Sequence, residues 1–276
     1  MKTVSTFWAA ALSLTASTLT TADTNDNQPD PLEEMVVTSS RVPVPLRHIG
    51  TSVSLITQAD IEQMGHNALY DILRTQPGIG VSNQSGPGSV TSLRIRGEES
   101  YRTRFYLDGI DISDTSSPQN ATRIEQILSS SVERVEILRG PQGLMYGADA
   151  GGVVNITTTG SEEGLGGVLS AETGHYSTEQ YAANLYGGNS VADFSISATD
   201  FTSDLYNALK RDTNPNDDDG YENTTIHGRA GLNINNNLRL TLAARNVSSE
   251  NRYDDCFTVN TFSPSNDCRD EFDQNS

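Results

Sequence analysis

The chain has 276 residues, room for one or two domains and a sizeable core. It is acidic, with 18 Lys and Arg against 36 Asp and Glu and a net charge of −18. Phosphate binding needs a basic face, so nucleic acid is excluded as a partner, while cationic ligands fit. Lys occurs only at Lys2 and Lys210, so every other positive charge is Arg, which suits paired or buried sites.

The start of the chain reads as a secretory signal peptide over 1–22. Lys2 is the charged end, Phe7 to Leu14 the apolar run, and Thr20-Thr21-Ala22 the small residues for cleavage. No other segment is apolar for long enough to cross a membrane as a helix, so a membrane location requires a β-barrel. Residues 23–45 read as disordered, rich at first in Asp, Asn and Pro. Within them Glu33, Glu34, Met35, Val36, Val37 and Thr38 form a short β-prone segment. It reads either as a first edge strand or as a strand lent to a partner's sheet.

Residues 46–160 read as a mixed α/β domain. Residues 51–57 alternate as a strand. Thr57 caps a helix over Gln58 to Met64, and Asn67 caps a second over Ala68 to Gln76, stopped by Pro77-Gly78. Short strands are expected at Ile79–Val81 and Leu93–Gly97, and a hairpin of Thr103–Leu107 with Ile110–Ile112 turns about Asp108-Gly109. Ile124 to Leu128 reads as one helical turn. Ser131 to Thr158 then holds a strand (Val132–Leu138), a Gly-rich turn (Gly140–Gly152) and a second strand (Val153–Thr158). It lacks the Gly-Lys-Ser/Thr of a phosphate loop. Arg134 and Arg139 are expected to pair with Glu133 and Glu136.

After Thr158 the pattern changes to long alternating strands: 166–173, 178–186, 191–201, 222–234 and 238–249. In the third, Ala192, Phe194, Ile196 and Ala198 alternate with Asp193, Ser195, Ser197 and Thr199. Segments of about 10 residues, apolar outward and polar inward, mark a transmembrane barrel. Tyr176, Tyr181, Tyr186 and Phe201 fall near strand ends, where an aromatic girdle belongs. Connections at 187–189 and 235–237 are short, whereas 202–221 and 250–276 are long, the asymmetry of periplasmic turns and outer loops.

Two acidic clusters lie on the long-loop side, Asn214 to Gly220 and Tyr253-Asp254-Asp255. Dense hard oxygen donors suit calcium, although the spacing is not that of an EF-hand; a hydrated outer loop is the alternative. Cys256 and Cys268, close together in a polar loop of an exported chain, suggest one local disulfide, worth roughly 3 kcal/mol if unstrained. No Ser-His-Asp set or carboxylate pair sits on a recognisable scaffold and the four His are scattered, so no enzyme activity is expected.

These segments together resemble the TonB-dependent outer-membrane receptors, and most of all the cobalamin (vitamin B12) receptors among them. Glu33 to Thr38 resembles the TonB box. Leu73-Arg-Thr-Gln-Pro-Gly-Ile79, Ile95-Arg-Gly97, Leu107-Asp-Gly-Ile110 and Val132 to Thr157 resemble successive plug motifs. The resemblance implies an α+β plug domain followed by the first antiparallel strands of a transmembrane β-barrel of about 22 strands, incomplete here. Such a barrel takes on the order of 400 residues or more, so the chain is expected to be a fragment, with the barrel portion at 161–276.

It also implies outer-membrane lipid around the barrel, import of cobalamin or a ferric siderophore, and TonB as the periplasmic partner. Ligand-facing plug loops are then expected at 83–92, 97–103 and 113–120, with Ser85, Ser89, Glu99 and Tyr101 as candidates. Matched to the calcium loops of cobalamin receptors, Asp217, Asp219 and Asp254 are the candidate ligands, with Tyr253 through its carbonyl. A non-transporting calcium-binding surface protein is the reading from another class.

Overall fold

A computed structural model describes residues 35–36, 44–84, 86–117, 119–141, 146, 151–158, 164–206, 219–235, 237–254 and 269–275. The signal peptide, Glu33, Glu34, Val37, Thr38, Ser85, Asp217, Cys256 and Cys268 lie outside them.

The globular part begins with a minimal hairpin, β1 (Met35–Val36) antiparallel to β2 (Val44–Pro45). Strand β3 (Ser52–Thr57) leads into α1 (Gln58–Met64). Thr57 starts this helix with a full capping box: its hydroxyl accepts the Asp60 N–H, and the Asp60 carboxylate accepts the Thr57 N–H at 2.9 Å. Helix α2 (Leu69–Arg74) is shorter than the expected 68–76. Its N-cap is Ala68 with no side-chain cap, because Asn67 lies one residue too early and the Leu69 N–H goes instead to the Ile127 carbonyl. Strands β4 (Ile79–Asn83) and β5 (Thr91–Ile95) make a two-stranded sheet.

The main sheet of this part joins β6 (Thr103–Leu107), β7 (Ile110–Asp111), β8 (Val132–Arg139) and β9 (Gly152–Thr158) to β3, in the order β3-β8-β9-β6-β7. Strands β6 and β9 run parallel and the rest antiparallel. Val135, Ile137, Leu138, Val154 and Ile156 are buried at its centre, and α2 adds Leu69, Ile72 and Leu73 to the same core. Ile124–Gln126 is a single 3-10 turn.

The wall is a six-stranded antiparallel meander: β10 (Gly164–Thr173), β11 (Glu179–Gly188), β12 (Ala192–Ser203), β13 (Tyr221–Asn235), β14 (Leu238–Asp254) and β15 (Arg269–Asn275). Five strands are expected from the sequence, and β15 is the sixth. Its Arg-Asp-Glu-Phe-Asp-Gln-Asn carries no apolar alternation, and it pairs with the outer end of β14 from Ser248 to Asp254.

The inside-out pattern of β12 holds residue by residue. Asp193, Ser195, Ser197 and Thr199 are buried against the globular part, while Phe194 and Ile196 are exposed. Leu240, Leu242 and Ile226 face outward on the neighbouring strands. The girdle expectation splits. Tyr176 and Tyr181 are exposed, but Phe201 packs inward against Tyr221 and Leu128, and the Tyr186 ring lies over Gly166 on the inner face. Strand parity, not closeness to a strand end, decides Tyr181, Tyr186 and Phe201, while Tyr176 lies in the β10–β11 turn.

Candidate functional site

The wall clasps the globular part at two levels. Near mid-strand, the β6–β7 turn presents Asp108, whose side chain is 1% exposed. Its carboxylate accepts the Thr158 N–H at 3.0 Å and the Thr158 hydroxyl at 2.7 Å. His227 of β13 brings Nε2 to 2.7 Å from the same carboxylate, and Arg229 of β13 stands 4.0 Å away. Burial alone would push the Asp108 carboxyl up. The hydrogen bonds from His227 and Thr158 and the Arg229 charge outweigh it and hold the group below the usual carboxylate range. Three elements far apart in sequence therefore meet at one buried anion: the β6–β7 turn, the end of β9 and wall strand β13.

The second level is the long-loop end of the wall. Asn83 organises the loop between β4 and β5: its amide donates to the carbonyls of Gly86 (2.8 Å) and Ser89 (3.2 Å), and its oxygen accepts the Gly86 N–H. The loop is pressed onto the wall. Asn251 donates to the Ser89 hydroxyl at 3.4 Å, and the ring of the buried Tyr221 lies directly against Gly88. Tyr221 is the first residue of β13, so it immediately follows the acidic outer loop. Asn223 donates to the Tyr221 hydroxyl at 2.7 Å, which fixes the ring.

Gly88 carries a testable consequence. Its φ is +74° and a Cβ there would fall 2.0 Å from the Tyr221 ring. Gly88→Val is expected to lift the loop off the wall and destabilise the chain by roughly 2 kcal/mol, from overpacking and a left-handed backbone that a branched residue resists. A lowered urea midpoint together with faster proteolytic cleavage within 84–90 checks it; an unchanged midpoint contradicts the packing.

The candidates from the sequence fare differently. Ser89 is buried and serves loop packing, not an open ligand face. Glu99 is exposed and stands 3.7 Å from Arg94. Tyr101 is half-buried, with the Arg102 guanidinium over its ring. For the acidic loops, Asp219 is buried and the Arg252 N–H donates to the Gly220 carbonyl at 2.9 Å. That bond extends the Tyr221–Asn251 register and sets Asp219 alongside Tyr253, with Asp254 next in the chain. The fold thus brings Asp219 and Asp254 to one end of adjacent strands.

The charges of the Ser131–Thr158 stretch are only partly as expected. Arg134 pairs with Glu136 at 2.6 Å. Arg139 instead donates to the Pro77 carbonyl and the Ser54 hydroxyl, within the globular part. Burial and the neighbouring Arg96 lower its pKa. Asp108, His227, Thr158 and Asn83 escape sequence reasoning as site residues. The only signal was a buried-face His on an otherwise small-polar strand face.

Comparison with known proteins follows the same division. Residues 45–154 match the family model of the TonB-dependent receptor plug domain. The chain is 37% identical over 143 residues to the vitamin B12 transporter BtuB of Vibrio vulnificus, covering 51% of this chain and 23% of that protein. It is 27% identical over 225 residues to the vitamin B12 transporter BtuB of Photobacterium profundum, covering 81% and 36%. The ferripyoverdine receptor of the Pseudomonas aeruginosa outer membrane is similar in fold, with TM-score 0.64 and 17% identity over 84% of this chain and 30% of that one. The siderophore receptor PirA of Acinetobacter baumannii gives 0.57 and 23%, covering 73% and 32%. The chain therefore spans between about a quarter and about a third of these relatives.

Proposed function

We infer, from residues 45–154 that match the TonB-dependent receptor plug domain, that the chain is part of an outer-membrane importer of cobalamin or a related corrinoid. The observation that carries this reading is the 37% identity to a vitamin B12 transporter. The siderophore receptors share only the fold at 17% and 23% identity.

The geometry fits such an importer. Ligand arriving at the outer end meets the 83–92 loop, which Asn251 ties to the wall, and the acidic loops that continue from Asp219 and Asp254. Asp217, Asp219 and Asp254, with the Tyr253 carbonyl, hold calcium there and order the loop that runs into Tyr221. A Cys256–Cys268 disulfide shapes the adjoining loop. Glu33 to Thr38 engages TonB by strand addition. In the structure Met35–Val36 is paired with Val44–Pro45, so TonB replaces two residues of ladder, a small cost. The wall lies in lipid, with Leu240, Leu242 and Ile226 outward.

Growth of a deletion strain on limiting cobalamin and on limiting iron tests the reading. Loss of growth on cobalamin, restored by the complementing gene, is the expected result. A defect confined to iron favours a ferric siderophore as cargo, and growth unaffected on both sinks the import function.

A further inference from the structure

Glu125 takes no part in the import reading. Its side chain is 4% exposed, and among the described residues its Oε2 has no hydrogen-bond partner. It lines a cavity of about 230 Å³ between plug and wall, along with His66, Asp71, Gly88, Leu128 and Tyr221. Burial pushes its carboxyl up to about 7, against the lowering effect of hydrogen bonds and of Arg123.

Arg123 stands between two carboxylates. Its Nε is 3.1 Å from Asp114 and its Nη1 is 3.7 Å from Glu125. Asp114 in turn organises the turn that follows β7. Its carboxylate accepts the Ser116 N–H at 2.9 Å and the Ser116 hydroxyl at 2.5 Å. Its own N–H donates to Ala121, and Ser113 bridges Thr122. Ser116, Arg123 and Asp114 are thus one polar cluster, of which Arg123 is the member shared with the cavity.

We propose that Glu125 is a proton-operated switch for this turn: loss of its proton draws Arg123 away from Asp114 and loosens residues 114–122. An ionised carboxylate in the cavity wall needs a cation or hydrogen bonds far more than a neutral one does. Asp114 is more exposed, and with Ser116 and solvent it tolerates the loss of Arg123. The backbone N–H groups of Thr91 and of Glu125 itself favour the ionised carboxylate but carry no charge, and among the described residues no other group facing it supplies a free cation. Tyr70 on α2 and Tyr221 on β13 are neutral phenols near pH 7 and bring no positive charge, and Asp71 on the cavity wall is itself acidic. Arg245 of β14 is committed to the Gln126 carbonyl at 3.1 Å, and His66 lies on the cavity wall. Because the folded carboxyl titrates above its unfolded value, its contribution to stability is complete below the unfolded value and is lost as pH rises through about 7.

Hydrogen exchange of the full chain in detergent, corrected for the intrinsic rate at each pH, reads the switch directly. Protection of amides 114–117 and 120–122 is expected to fall about tenfold between pH 6 and pH 8 in the wild type. Glu125→Gln is expected to keep the pH 6 level throughout. Arg123→Gln is expected to show low protection at both pH values, and it tests the same link if the Glu125 variant folds poorly. A pH-dependent fall that persists in either variant overturns the proposal, as does a wild type that does not respond.

Discussion

Asp108→Ala is expected to cost about 3 kcal/mol of plug stability, the scale for removing one partner of a buried charged pair. The replacement leaves the His227 imidazole and the Arg229 guanidinium facing an apolar methyl, and it takes both acceptors from Thr158. His227 is itself 4% exposed, so water does not readily replace the carboxylate. Urea unfolding of the chain in detergent, followed by tyrosine fluorescence, should show the midpoint shift. Exchange of the Thr158 amide should rise with it. Asp108→Asn retains an acceptor for Thr158 and a group to meet His227, and should lose roughly half as much. Equal losses for Ala and Asn would mean that charge matters and hydrogen bonding does not. No loss for either would remove Asp108 as the tie between plug and wall.

The same residue predicts an acid dependence whose sign is fixed by its environment. The folded Asp108 carboxyl titrates below its unfolded value. Its contribution is therefore present above the unfolded value and is lost as pH falls through the folded one. The difference in stability between wild type and Asp108→Asn should be constant from pH 7 to pH 5 and shrink below about pH 4. Glu125 acts in the opposite direction and at higher pH, so the two groups separate on one titration.

The wall was legible because one face of each strand is exposed and apolar while the other packs on the globular part, which writes a period of two into β12 and β13. That legibility failed where the rule changes. Phe201 keeps the inward parity of Asp193 to Thr199 but is apolar, and it packs on Tyr221 instead of meeting a polar partner. The sequence of β15 carries no apolar alternation to read. Within the plug, Gln58–Met64 and the Asp108-Gly109 turn followed from local capping and turn chemistry. The interface did not. Asp108 and His227 are 119 residues apart, and each has an ordinary local explanation, one as a turn residue and one as a strand histidine. Ser89 read as a ligand-facing loop residue because loops are polar, whereas Asn83 folds that loop back against Asn251. Long-range pairing is what single-chain periodicity leaves out.

Gly152→Ala is the severest single change expected in the plug, because its obstacle is backbone. Gly152 opens β9, opposite Arg139 of β8 and beside Thr103 of β6. Its φ is +142°, and a Cβ would meet the Leu138 carbonyl oxygen at 2.2 Å and the Ile95 side chain at 3.2 Å. Leu138, next to last in β8, is paired on both sides, with Val53 and Val153, so its carbonyl cannot retreat without breaking the β3–β8 or β8–β9 ladder. A flexible side chain could rotate away at small cost; a sheet carbonyl cannot. The expected loss is at least about 3 kcal/mol, which corresponds to about two decades of protection at the amides of Val153 to Ile156. Gly97→Ala supplies the contrast: its φ is +82° but no atom lies within 4 Å of the added Cβ. It should cost only about 1 kcal/mol, the penalty of the left-handed backbone alone. If Gly152→Ala were no worse than Gly97→Ala, the close approach of β9 to the Leu138 carbonyl would not be what glycine serves at this position. The Gly-rich end of the plug would then be held by turn geometry alone.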